Sequence, residues 1–283
     1  MEENQKKVAL VTGASSGIGR AISARLLALG YEVYGIGRQF PAELPEASVN
    51  AADLSAGTRP QAPLAPEADA AAWTPTNPSA SEIAAAAATP AAFHPIVCDL
   101  LDTKKLQSVV AALQKEWKQE KRTLTLLVNN AGTAYYGLHE ELRPEGISEM
   151  VRVNLEVPML LTQQLLRTLK QNHGTIINIS SVTAIGSNPH GVAYGATKAG
   201  LLSFSRSLFD EARKYGVRVT VILPDMTDTK LYRHADFTAD PAMDAHLEAE
   251  DVADAVEYAL TTRVGTCVPE IILRPQLHRI KKK

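Results

Sequence analysis

The sequence predicts a doubly wound α/β fold, with a parallel sheet of about seven strands and helices on both faces. Three observations predict it. Short, almost wholly apolar runs alternate with longer helical patterns. Those runs lack the polar alternation of a sheet that faces water on one side. A glycine-rich turn follows the first run directly and opens a helix. Strict alternation of strand and helix gives parallel pairing through right-handed crossovers.

Taken in order, the strand candidates are 8–12 (Val-Ala-Leu-Val-Thr), 31–36, 94–98, 124–129, 174–180, 217–223 and 270–273. Helical patterns fill 17–29, 103–119, 145–156, 158–171, 194–214 and 249–262. One stretch interrupts the alternation. From Phe40 to Phe93 the chain is rich in alanine and proline, holds eight of the sixteen prolines, and contains no lysine. Its prolines break any long helix and it has few large apolar groups for a core. The expectation is a single domain over 1–283, carrying an Ala/Pro-rich surface insertion at about 40–93. Such an insertion is tolerated because loop-closure entropy grows slowly with length.

Composition narrows the function. The chain has 283 residues, 45% hydrophobic and 21% charged, with 29 basic against 31 acidic side chains. Near-neutral charge argues against a nucleic-acid surface. No apolar run is long enough for a transmembrane helix, and the N-terminus lacks the order of a secretory signal. Cys98 and Cys267 form no pair pattern and read as buried small hydrophobes of a reducing, cytoplasmic protein. The histidines show no metal spacing; His94, His139, His173 and His190 read as surface or loop residues, with His190 near enough to a site to touch substrate.

The glycine turn is Thr12-Gly13-Ala14-Ser15-Ser16-Gly17-Ile18-Gly19. Gly13 permits the turn, Gly17 lets backbone N–H groups approach a phosphate, and Gly19 lets the helix sit close on the sheet. The helix N-terminus adds partial positive charge for a pyrophosphate. The second strand ends in Arg38, where a carboxylate would otherwise bond an adenosine ribose. An arginine there suits a 2′-phosphate and favours NADP(H) over NAD(H). Asp99, at the end of the third strand, is placed for an adenine, or equally as an N-cap for the next helix.

Later strands end in Asn129-Asn130-Ala131-Gly132 and in Ser180-Ser181, followed by Tyr194-Gly195-Ala196-Thr197-Lys198. Tyr194 and Lys198 share a helix face. A phenol has an ordinary pKa near 10. An ammonium about 4 Å away, at an effective dielectric near 20, favours the phenolate by roughly 4 kcal/mol. The expected consequence is a Tyr194 pKa lowered by up to about three units, enough for proton transfer.

With these motifs in register, the sequence resembles the short-chain dehydrogenase/reductase family, over nearly the whole chain except the insertion. The resemblance implies a Rossmann-type fold, a nicotinamide dinucleotide, and a catalytic set falling on Asn154, Ser181, Tyr194 and Lys198. Asn154, in a helical stretch, stands either as the residue that orders a water beside Lys198 or as a helix cap. The resemblance further implies cofactor contacts from Gly13, Ser15, Gly17, Ile18, Gly19, Arg38, Asp99, Leu100, Asn130, Tyr194, Lys198, Thr227 and Thr229, and no metal site.

Two places depart from the family pattern. Asp225 stands where a glycine follows Pro224, at the expected nicotinamide contacts. The last strand, Glu270 to Leu273, is not followed by the usual glycine pair; with Glu250-Asp251-Val252-Ala253 it resembles the branch acting on 3-hydroxy acids. The expected activity is NADP(H)-dependent hydride transfer between nicotinamide and a small carbonyl or alcohol. The alternatives are a 3-oxoacyl thioester reductase and a nucleotide-sensing regulator without turnover. Residues 226–247, with Leu231, Tyr232, Phe237 and Met243, read as a mobile lid, and Lys281-Lys282-Lys283 as a solvated tail. The partners expected are a small-molecule substrate and copies of the same chain, as a homodimer or homotetramer, with no nucleic acid and no membrane.

Overall fold

The computed structural model describes residues 6–45, 91–277 and 279–283. The bulk of the expected insertion, residues 46–90, lies outside them. Its two flanks meet: the Phe40 and Phe93 rings pack edge to face, 5.7 Å apart.

Seven parallel strands form the sheet in the order β3-β2-β1-β4-β5-β6-β8, where β1 is Lys7–Thr12, β2 Glu32–Gly37, β3 Phe93–Val97, β4 Thr123–Asn129, β5 Thr175–Ile179, β6 Arg218–Pro224 and β8 Glu270–Leu273. The helices are α1 Gly17–Ala28, α2 Thr103–Gln119, α3 Pro144–Val151, α4 Val157–Gln171, α5 Val192–Ala212 and α6 Ala249–Thr261.

The alternation of side chains along each strand feeds two separate cores. On one face Val8 and Leu10 of β1 meet Leu106, Val110 and Trp117 of α2 and Leu161 and Leu165 of α4. On the other Ala9 and Val11 meet Ile22 and Leu26 of α1 and Val252 and Val256 of α6. Both faces are dry, which is why β1 reads as a continuous apolar run. The strand order reverses between β1 and β4, so loops leaving their carboxyl ends diverge and open a crevice there.

Two features differ from the sequence reading. The two expected helices 145–156 and 158–171 form one continuous rod, joined by a single π-helical turn at Arg152–Glu156. Pro158 has no N–H to give the Asn154 carbonyl four residues back, and the widened turn accommodates that loss. Asn154 is therefore inside the rod and not a cap. The C-terminal lysines are also not a free tail. Ile280–Lys282 (β9) pairs antiparallel with Phe237–Ala239 (β7), and the Lys283 ammonium donates to the carbonyls of Tyr232 and Ala235 at 2.8 and 2.9 Å. Among smaller corrections, Cys267 is only half-buried, and His94 lies in β3 with its Nε2 2.7 Å from the Glu32 carboxylate.

Candidate active site

The crevice at the reversal of strand order is a cleft of about 230 Å³. Its nucleotide end is built by the turn after β1. Gly17 has φ +51° and Gly13 φ +68°, the left-handed region that favours glycine. A Cβ on Gly19 would lie 2.2 Å from the Gly13 carbonyl oxygen, so no other residue fits without moving the turn. Ser16, at the N-cap of α1, makes no side-chain capping bond, so the first-turn amides keep no partner from it. Thr12 Oγ1 accepts from the amides of Asn130 and Ala131, both at 3.1 Å, which locks the β1 and β4 loops together. The Asn130 side-chain amide donates to the carbonyls of Thr12 and Gly13, at 2.9 and 3.4 Å, and so holds the turn from behind.

Arg38 is exposed at the rim, past the end of β2. Asp99 lines the cleft and accepts from the Leu101 amide at 3.0 Å, while the N-cap of α2 is Asp102, which accepts from Lys105. The capping alternative for Asp99 therefore does not hold. Ser15, Ile18, Leu100, Thr227 and Thr229 line the same cleft. Thr229 closes over the glycine turn, with its methyl 3.2 Å from where a Gly17 Cβ would stand.

At the other end Ser181, Tyr194 and Lys198 face each other between β5 and α5. Ser181 hydrogen-bonds Tyr194, and its Oγ accepts from the Thr183 amide at 3.2 Å. The Lys198 ammonium donates to the Ile179 carbonyl at 2.8 Å and lies 5.7 Å from the centre of the Tyr194 ring. Asn154 is wholly buried behind them. It accepts from the Thr133 amide at 2.9 Å and donates to the Thr133 carbonyl and Thr197 Oγ1, at 2.9 and 3.0 Å. A methyl placed on Gly132 would be 3.5 Å from Asn154 Oδ1 and 3.6 Å from the Lys198 ammonium, so both converge on that loop.

The electrostatics differ from the expectation. Burial raises the Tyr194 pKa, the nearby Tyr232 adds to the rise, and only the Ser181 hydrogen bond opposes it. The lysine is turned to the Ile179 carbonyl, with its ammonium over the Tyr194 ring at 5.7 Å from the centre, so burial, not the amine, sets the direction of the phenol's shift. Lys198 itself is lowered to about 8 by burial. The site thus holds a protonated phenol beside an amine that titrates near neutrality.

Tyr136 was not singled out by sequence reasoning, yet its ring lies 6.0 Å from that of Tyr194. Its only sequence signal is that it follows Asn129-Asn130-Ala131-Gly132 in the β4 loop. Asp225, in place of the glycine, is half-buried; its Oδ1 accepts from the Met226 amide at 2.8 Å, and its Oδ2 is 3.8 Å from Arg274. Of the lid residues, Tyr232 and Phe237 point inward while Met243 is 94% exposed. Among the described residues no cluster of metal-ligating side chains occurs, and no helix is long and apolar enough to cross a membrane.

The profile of the short chain dehydrogenase family matches residues 7–56 and 65–238. The chain belongs to that family. It is 30% identical to an uncharacterized oxidoreductase of Staphylococcus epidermidis over 276 residues, covering 97% of this chain and all of the relative. A 3-oxoacyl-[acyl-carrier-protein] reductase of Escherichia coli is 28% identical over 228 residues, 80% of this chain and 76% of that one. Among solved structures, an alcohol dehydrogenase of Thermococcus sibiricus complexed with 5-hydroxy-NADP superposes with a TM-score of 0.70 at 24% identity, covering 97% of this chain and 99% of that one. A metagenomic short-chain oxidoreductase in complex with NADP gives 0.66 at 26% identity, covering 96% and 99%. The chain is therefore an NAD(P)-dependent dehydrogenase/reductase with the Rossmann-type sheet of its family. The nucleotide fits the observed cleft: Gly19 leaves room for close backbone approach, and the α1 amides face it.

Proposed function

We propose that this enzyme is an NADP(H)-dependent reductase of small carbonyl compounds, acting as one catalytic unit. The observation that carries the reading is that Ser181, Tyr194 and Lys198 line the same cleft as the glycine turn. Gly13, Ser15, Gly17, Ile18 and Gly19 would hold the pyrophosphate, Asp99 and Leu100 the adenine end, and Thr227 and Thr229 the nicotinamide end. The dinucleotide, when bound, supplies the hydride. Arg38 would pair with a 2′-phosphate, and the absence of a carboxylate at the end of β2 supports that preference.

The chain's own residues manage the proton. Ser181 donates to the substrate oxygen and fixes its position. Tyr194, kept protonated by burial, gives its proton to that oxygen as negative charge develops there. Lys198, charged below about pH 8, stabilises the phenolate left behind. A phenol held in its acidic form suits reduction better than oxidation. Asn154 ties the Thr133 loop to Thr197, the neighbour of Lys198 in α5. The intact proton-transfer set argues against a sensor without turnover. The 3-hydroxy acid and the acyl thioester remain the two substrate families suggested by resemblance and by the Escherichia coli relative. Pairing of copies through α4 and α5, and a cytoplasmic setting, belong to the same proposal.

The test is loss of NADPH absorbance with a panel of aldehydes and ketones, repeated for Arg38→Asp. The wild-type chain should prefer NADPH, and the variant should shift toward NADH by at least tenfold in relative kcat/KM. An unchanged ratio would remove Arg38 from cofactor selection, and absence of turnover with every carbonyl would remove the reductase reading.

A further inference from the structure

The glycine turn carries no cation of its own: residues 12–19 hold no lysine or arginine. The N-terminus of α1 supplies only about half a unit of positive charge. A dinucleotide brings a negative charge on each phosphate of its pyrophosphate. Arg38 stands at the rim past β2, and Lys198 is turned to the Ile179 carbonyl. Two further cations line the cleft, Lys230 and Arg233.

Both belong to the lid's short helix, Lys230–His234, and its neighbours fix how it sits. Thr229, at its N-cap, rests against the glycine turn, with its methyl 3.2 Å from where a Gly17 Cβ would stand. Leu231 packs into the cluster that holds Tyr194, and the His234 ring stacks on Tyr135 at 5.3 Å. Those two side chains occupy the side of the helix toward Tyr194. The Arg233 guanidinium folds back along the helix: Nη1 donates to the Lys230 carbonyl at 3.3 Å, and Nε to His234 Nε2 at 3.0 Å. The two cations are thereby gathered toward the Thr229 end, beside the glycine turn. Among the described residues neither pairs with a carboxylate: Glu149, on the cleft wall, receives the Tyr135 hydroxyl at 2.7 Å, and Asp225 faces Arg274 at 3.8 Å. The Lys283 ammonium adds a third positive charge to the same helix, on the carbonyls of Tyr232 and Ala235. Like charges collected without a counter-ion repel one another, and an anion entering the cleft relieves that repulsion.

We propose that Lys230 and Arg233 are the cationic half of the pyrophosphate site, presented to the dinucleotide from the lid. The α1 amides take the phosphates at the glycine turn, and the two cations supply the charge that the turn lacks. Seating the lid and neutralising the cofactor are then one event. This inference rests on the dinucleotide placement proposed above and deepens it.

The experiment measures dissociation constants of NADPH and of NADH on the full chain without substrate, by cofactor fluorescence, at low and at moderate salt. In Lys230→Gln and in Arg233→Gln each constant should rise by roughly tenfold, the loss of one charge-assisted contact. The rise should agree between NADPH and NADH within about twofold, because both carry the pyrophosphate. Added salt should narrow the gap between wild type and the double variant. Lys230→Arg should restore most of the affinity. Both side chains are exposed, so the melting temperature without cofactor should stay unchanged in each variant. Wild-type affinity for both cofactors in the double variant overturns the inference. A loss confined to NADPH gives the cations to the 2′-phosphate and overturns it as well. Unchanged cofactor affinity, with a raised KM for a 3-oxo acid and not for its methyl ester, gives them to a substrate carboxylate and has the same consequence. NADPH bound normally by the wild type with no carbonyl turned over removes the reductase reading alone. A wild-type chain that binds neither cofactor removes both.

Discussion

Replacing Asn154 by alanine tests how the site is held in place. The side chain is wholly buried and serves two Thr133 backbone groups and the Thr197 hydroxyl, with all three bonds between 2.9 and 3.0 Å. Removing it strands the Thr133 amide and carbonyl in the interior, while the Thr197 hydroxyl keeps its bond to the Tyr194 carbonyl at 2.8 Å. Each such group costs about 1–3 kcal/mol. Shared relaxation makes the sum less than additive, which gives about 3–5 kcal/mol. At roughly 2–4 °C per kcal/mol for a chain of this size, Tm should fall by about 6–20 °C. Thermal melts followed by circular dichroism measure this, with urea titration as the check on two-state behaviour. Turnover should fall as well, because Thr133 leads into the loop of Tyr136 and Thr197 adjoins Lys198. A loss below about 1 kcal/mol would refute the idea that these hydrogen bonds fix the Thr133 loop to α5.

Three other outcomes follow from the structure. Gly19→Ala places a methyl 2.2 Å from the Gly13 carbonyl, so NADPH affinity measured by fluorescence should fall at least a hundredfold; near-normal affinity would show that the turn yields cheaply. Lys198 has a folded pKa of about 8 against an ordinary value of 10.5, so between those values the unfolded chain holds the extra proton. Stability should therefore rise with pH across that window, by on the order of 3 kcal/mol, and Lys198→Met should flatten the rise; an equal slope in both proteins would contradict the assignment. Lys283→Ala removes the bonds to the carbonyls of Tyr232 and Ala235. It should raise KM for the carbonyl more than for NADPH, and equal effects on both would show that the C-terminal segment does not steady the lid.

Much of the fold was legible because strands buried on both faces are chemically distinctive. Val8–Val11 and Ile176–Ile179 read as strands because both faces needed apolar residues. Strands β7 and β9 were not legible. Each has three residues, and Ile280-Lys281-Lys282 carries no period; only the tertiary approach of the lid makes it a strand. The π-turn was hidden as well, since Pro158 reads as a break and the chain instead widens by one residue around it. In the site, the Tyr194–Lys198 spacing was readable but the orientation was not. The Ile179 carbonyl, from a strand nineteen residues earlier, captures the amine and leaves the phenol to the effect of burial. Tyr136 escaped for a related reason: it lies about a hundred residues before Tyr232 and Phe237, which were legible as lid residues, and only packing joins it to them.

Substituting phenylalanine at Tyr194 puts the proton-transfer assignment to its most direct trial, because it removes one hydroxyl and keeps the ring. NADPH dissociation constants should agree within about twofold between the two proteins, while carbonyl-dependent NADPH oxidation should fall by at least a thousandfold, or about 4 kcal/mol of transition-state stabilisation. Turnover by the phenylalanine variant near that of the wild type would contradict the account.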